Sequence, residues 1–338
     1  MKSSVPVRER TGGRKMKRIW LGILVLLLFA AGGCQKQTEK TDTAPIVVGF
    51  SQLGSESSWR IANTQSISEA AKAYGYDLMM SNANQKQEKQ IAAIRSFISY
   101  RVDVIVFSPI VETGWDNVLT EAKKAGIPVI LMDRMIETDD ETLYTAFVGA
   151  DCYLEGRRAG DYLLRWADVQ AKPHYNIVEL SGTVDSTPMR ERQHGFMDVI
   201  DGDARFTVLE SLSGDFLRSK GEECMKELLD RYSADQIDVI YSHNDAMTLG
   251  VLDVLQARGI EPGKDIMIIS VDGEKAAVDA LKAGKINCIV QCTPHLGEAV
   301  MELVTALKQG NEVPKISYPD EKVFSDFDDL TDPSVEGF

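Results

Sequence analysis

No GxSxG, GxGxxG, Walker or HExxH motif occurs anywhere in this 338-residue chain, so an enzymatic reading has no sequence anchor. Histidine is scarce: the four present have no metal-ligand spacing. Of the five cysteines, Cys152, Cys224, Cys288 and Cys292 follow Cys34 and form neither a CxxC pair nor a metal motif. Cys288 and Cys292 sit four residues apart in an expected strand, too far apart along an extended chain for a disulfide. A Cys152–Cys224 bridge stays open. Low-complexity tracts and heptads are absent, and no cofactor motif is found, so none is expected. Positive charge is also short. The net charge is −14, and residues 1–33 carry a net +6, so the remainder carries −20. A body that acidic repels phosphate backbones, which excludes nucleic acid as a partner.

The longest apolar run, "LGILVLLLFAA", is shorter than the roughly 20 residues a spanning helix needs. It follows the basic "RKMKRIW" and ends in "AGGC". Basic segment, short apolar core and small residues before a cysteine read as a secretory signal over 1–33. They look like a lipobox, with Cys34 as the lipidated first mature residue. Residues 34–45 then form a polar tether. The expected location is the outer face of the cell membrane or the periplasm, held through the lipid.

From Ile46 onward short apolar runs alternate with amphipathic ones. "IVVGF", "DLMMS", "VDVIVFS", "IPVILMD", "HYNIVELS", "FTVLES", "IDVIYS", "IMIISVD" and "INCIVQ" read as buried parallel strands. Between them, Ile91, Ile94, Phe97 and Ile98 share one helical face. So do Ile67, Ala70, Ala71 and Tyr74, with Gly75 as a C-terminal cap. Further helices are expected over Asp245–Arg258 and Pro294–Gln309. This alternation is that of an open α/β sheet, and there are enough units for two successive doubly wound halves. "LYTAFVGAD" is the candidate crossing between them.

Ligands of open α/β sheets bind outside the carboxyl ends of the strands. Those ends carry Ser51, Gln52, Glu56, Trp59 and Arg60; Asp133 and Arg134; a loop leading to Arg190 and Arg192; Phe216; His243, Asn244 and Asp245; Asp272; and Gln291. Carboxylates and amides can grip two neighbouring hydroxyls, arginine adds a rigid fork of donors, and aromatic faces take C–H surfaces. The set suits a sugar. Taken singly, Asp245 reads as a helix cap, His243 as structural and Arg190 as a solvated helix residue. Asn244 reads either way.

"VGFSQLGSESSWR", "NQKQEKQIAAIRSFI", "RVDVIVFSP", "LMDR", "SGDFLRSKG", "YSHNDAM" and "SVDG" resemble the type I periplasmic sugar-binding proteins of ABC transporters. The likeness is greatest to the galactofuranose-binding branch, with the ribose-binding branch next. The resemblance implies an α/β fold of two doubly wound parallel-sheet lobes joined by a three-stranded hinge. It places the N-terminal lobe at 46–148 plus 292–320 and the C-terminal lobe at 149–291 plus 321–338. It implies that Glu56, Arg60, Asp133, Arg134, Arg192, Asn244 and Asp272 bind the ligand, with Trp59 and Phe216 against the ring. Gln291 matches a glutamine of the ribose branch. Trp59 followed by Arg60 stands where ribose-type proteins place two adjacent aromatics, an exchange that suits a hexofuranose. The implied partners are a monosaccharide and an ABC permease with its ATPase, and the chain is expected to be a monomeric, non-catalytic carrier. Two other readings are a sugar sensor serving a histidine kinase or chemoreceptor, and a receptor for a pentose such as ribose or arabinose. A lactose-repressor-type regulator, which shares the fold, would need an N-terminal helix-turn-helix where this chain has a leader.

Overall fold

The computed structural model describes residues 45–338, together with Met1 and Ser4. The expected signal segment, Cys34 and most of the tether lie outside the described residues. Residues 45–338 form one compact unit, built on two six-stranded sheets.

The first sheet holds β1 (Val47–Gln52), β2 (Asp77–Asn82), β3 (Val104–Phe107), β4 (Val129–Met132), β5 (Ala146–Val148) and the short β11 (Ile316–Ser317). Their spatial order is β11-β5-β4-β3-β1-β2. The second holds β6 (Tyr175–Ser181), β7 (Phe206–Ser213), β8 (Val239–Ser242), β9 (Met267–Asp272), β10 (Cys288–Gln291) and β12 (Val323–Ser325). These lie in the order β12-β10-β9-β8-β6-β7. Every pairing is parallel except β10 with β12. All nine expected runs are strands. β2 and β7, however, are half-exposed: each sits at a sheet edge, with one neighbour instead of two. The two-residue β11 and antiparallel β12 are too short to leave a periodic signal.

Helices cover both faces of each sheet. In the first lobe these are α1 (Ser58–Tyr74), α2 (Gln87–Tyr100) and α3 (Asp116–Lys124). In the second they are α4 (Cys152–Gln170), α5 (Thr187–Ile200), α6 (Arg218–Arg231), α7 (Asp245–Ala257) and α8 (Lys275–Lys282). α9 (Gly297–Lys308) returns to the first lobe and packs on α1, where Val300, Met301 and Val304 join Ile67 and Ala71 in one core cluster. α1 begins at the Ser57 side chain, which accepts from Arg60 N, and stops at Gly75 with φ 71. Tyr74, expected on the buried face, is instead partly exposed. α2 is pinned through buried Gln90. Its amide donates to Ser108 O at 2.7 Å and accepts from Ile110 N at 3.0 Å, holding the loop after β3.

Three segments pass between the lobes: residues 149–151 after β5, 292–296 after β10, and 318–322 between β11 and β12. α4 and α5 cross at backbone distance because both carry glycine at the contact. A Cβ on Gly156 would lie 2.2 Å from Arg192 O, and one on Gly195 2.0 Å from Tyr153 O. That approach sets Arg192 beside Glu155.

Candidate binding site

A cavity lies between the lobes at the carboxyl ends of the strands, the position expected for open α/β sheets. Glu56, Trp59, Arg60, Asp133, Arg134, Arg192, Phe216, Asn244 and Asp272 all line it. Ser57, Pro188 and Cys292 line it as well and were not anticipated. Gln291 does not line it. Its side-chain oxygen accepts from Lys322 N at 3.2 Å and its backbone N–H donates to Lys322 O at 2.8 Å, which ties this position to the third crossing instead of the cleft.

The first lobe contributes a nearly buried charge cluster. Arg60 Nη2 lies 2.7 Å from Asp133 Oδ2, and Arg60 Nε lies 3.3 Å from Glu56 Oε1. The guanidinium also stands 4.7 Å over the Trp59 ring, near the range where cation–π attraction is felt. Ser108 Oγ donates to Asp133 Oδ2 at 2.9 Å. Burial opposes ionisation of both Asp133 and Arg60, yet each favours the charge of the other. Asp133 is held below the usual carboxylate range by Arg60 and Arg134, and Arg60 is raised by Asp133 and Glu56. Arg134 donates to Ile110 O at 3.0 Å and lies 5.3 Å over Phe216. Burial, then the charge of Arg60, pushes it down to about 10.

The second lobe answers with Arg192. Its Nε donates to Glu155 Oε2 at 2.7 Å and its Nη1 to His243 O at 2.6 Å, while Nη2 stays 3.9 Å from Asp272 Oδ1. Asp272 therefore has only a loose cation. Burial raises its carboxyl well above the usual range against the pull of Arg192, and Asp245, Glu274 and Glu155 add to that rise. Its φ of 121 is strained for a non-glycine residue. Phe216 also has a positive φ, 61, and its ring lies directly on Gly182. A Cβ there would come within 1.8 Å of it, so glycine is required after β6.

Asn244, and not Asp245, is the N-cap of α7: its Oδ1 accepts from Met247 N at 3.0 Å, and its Nδ2 donates to Phe216 O. The expected cap, Asp245, is fully buried one residue later and accepts from Gly273 N and Glu274 N, both at 2.7 Å. It grips the turn that aims Asp272. His243 is structural, its Nε2 2.9 Å from Glu179 Oε1. Arg190, expected in solvent, is half-exposed but reaches across the cleft to Glu112 at 3.0 Å. Met135 N bonds to Thr187 Oγ1, and Glu112 N to Asp185 O, across the same rim. On the hinge side, Trp59 Nε1 donates to Cys292 O at 2.8 Å, and its ring joins the second lobe's core cluster. The lobes are closed on the cavity. Cys152 and Cys224 are both free thiols.

Two lobes, three crossings and a polar cavity between them describe a clamshell receptor. The chain belongs to the family described as "Periplasmic binding protein domain", whose profile matches residues 48–312. It is 40% identical over 298 residues to the galactofuranose-binding protein YtfQ of Escherichia coli, covering 88% of this chain and 92% of that one. A Mycobacterium smegmatis protein solved in complex with β-D-fucofuranose superposes with a TM-score of 0.80. The two are 45% identical, over 83% of this chain and 91% of that one. The binding protein of the arabinose ABC transporter of Shewanella sp. ANA-3, bound to α- and β-L-arabinofuranose, gives 0.79 at 39% identity, over 82% and 91%.

Proposed function

We propose that this chain is an exported receptor that closes around a furanose-form monosaccharide, galactofuranose in the first instance, and delivers it to an ABC sugar permease. One observation carries the reading. Glu56 Oε2 and Arg134 Nε are buried at the cavity wall with no hydrogen-bond partner. An unmet acceptor and an unmet donor beside two aromatic faces form a site waiting for hydroxyl groups, because buried polar atoms left unpaired are costly. The furanose ligands of two similar structures support the ring form. Three arginines and three carboxylates on the wall balance in formal charge, which favours a neutral ligand over a charged one.

Titration calorimetry with galactofuranose, arabinose, ribose and glucose tests the ligand class, and saturable binding of none of them would end the proposal. Uptake of labelled sugar in cells lacking the chain separates delivery from sensing. Membrane attachment is proposed to run through lipidated Cys34. Cys34→Ala is expected to release the protein from the membrane fraction or to block its processing, and unchanged attachment would reject the lipid anchor.

A further inference from the structure

Each of the three crossings between the lobes brings one metal-ligating side chain to a common point. Glu155 stands in the first turn of α4, just past the first crossing. Cys292 opens the second crossing, and Glu321 lies in the third. One carboxylate oxygen from each glutamate and the Cys292 sulfur all lie within 4.8 Å of one another. Among the described residues this is the only such cluster.

We propose that Glu155, Cys292 and Glu321 form a zinc site that ties the three hinge segments together. Glu155 is fully buried, and its two oxygens differ. Oε2 is held by Arg192 at 2.7 Å, while Oε1 has no partner at all. Glu321 Oε1 likewise accepts from Thr293 N at 2.9 Å. Each glutamate is thus oriented by an outer hydrogen bond, the arrangement that fixes metal-ligating carboxylates. Cys292 supplies a buried sulfur. A thiol with two carboxylates selects a borderline-soft ion such as zinc over calcium or magnesium, which prefer oxygen alone. Zinc bonds of about 2.0–2.3 Å would draw the three ligand atoms inward. Glu321 is only partly buried, so the ion would enter from that side.

The site also touches the receptor's cavity. Cys292 lines the cavity wall and its carbonyl holds Trp59, while Glu155 anchors Arg192. A bound ion would stiffen the hinge and the two residues that face the ligand from it.

The full chain, stripped of metal with a chelator, is titrated with zinc chloride and followed by thermal unfolding and by competition with a chromophoric zinc indicator. The expected result is one zinc per chain, with a melting temperature that rises to saturation, and no rise with calcium. Glu321→Gln and Cys292→Ser are each expected to weaken zinc binding at least about tenfold. Glu321→His, which restores a ligand atom, is expected to bind more tightly than Glu321→Gln. That comparison holds even if one substitution loosens the hinge. Absence of stoichiometric zinc binding by the wild type, or binding by Glu321→Gln and Cys292→Ser equal to the wild type, would overturn the site.

Discussion

Arg60 Nη2 meets Asp133 Oδ2 at 2.7 Å inside the first lobe, with both side chains almost wholly shielded from water. Arg60 stands in the first turn of α1 and Asp133 directly after β4, and the pair closes one wall of the cavity. Asp133→Asn leaves Arg60 buried with Glu56 alone, and breaking one partner of a buried pair typically costs about 3–5 kcal/mol. Chemical denaturation at neutral pH is the measurement. The pH dependence has a definite sign. The folded carboxyl of Asp133 lies below its unfolded value, so its contribution is fully present above roughly pH 4 and is lost as pH falls through the folded value. The stability gap between wild type and variant should therefore shrink below about pH 4. A gap that widens in acid would contradict the pairing.

Arg134 offers a buried Nε with no partner. Arg134→Ala is expected to weaken sugar binding by well over tenfold, since losing a desolvated charged partner is worth about 2–5 kcal/mol. Calorimetry on a variant with an unchanged circular dichroism spectrum is the check. Wild-type affinity would remove Arg134 from the contact set.

Asp272 and Asp133 should respond differently to the same exchange. Burial raises the Asp272 carboxyl well above the usual range, so it takes up a proton more readily than Asp133 does, and a protonated carboxyl, like an amide, offers both a donor and an acceptor. Asp272→Asn is thus expected to keep affinity within about tenfold, whereas Asp133→Asn exceeds that loss. If Asp272→Asn is the more damaging of the two, Asp272 binds as a carboxylate held by Arg192.

Gly195→Ala would ordinarily favour a helix interior by roughly 1 kcal/mol. Here the new methyl would press on Tyr153 O. Overpacking of this kind destabilises by about 1–3 kcal/mol, and it would push Arg192 away from Glu155. A lower melting temperature together with weaker sugar binding is expected. A stabilised variant would show that the α4–α5 crossing can yield.

Sugar preference follows from the lip of the first lobe. Glu56 Oε2 and Arg134 Nε lack hydrogen-bond partners, and galactofuranose offers an exocyclic diol beyond what a pentose ring presents. A site built to pair a hydroxyl rejects analogues lacking it, so galactofuranose should bind at least about tenfold more tightly than ribose. Competition titration decides it, and ribose ahead of galactofuranose would assign the site to a pentose.

Much of this architecture is legible without coordinates. Val-rich and Ile-rich runs of strand length identify nine of the twelve strands, because a strand buried on both faces has little use for polar residues. In an open α/β sheet, polar residues just past such runs gather at one edge, which is why Glu56, Asp133, Asp272 and their neighbours stand out. Hydrophobic period reports which face a residue takes. It carries nothing about which distant residue stands opposite. The Arg60–Asp133 pair, the turning of Gln291 toward Lys322, and the exchange of roles between Asn244 and Asp245 all depend on the packing of separate elements. The meeting of Glu155, Cys292 and Glu321 depends on more: three crossings that converge only because two sheets, each assembled from separate stretches of chain, sit side by side.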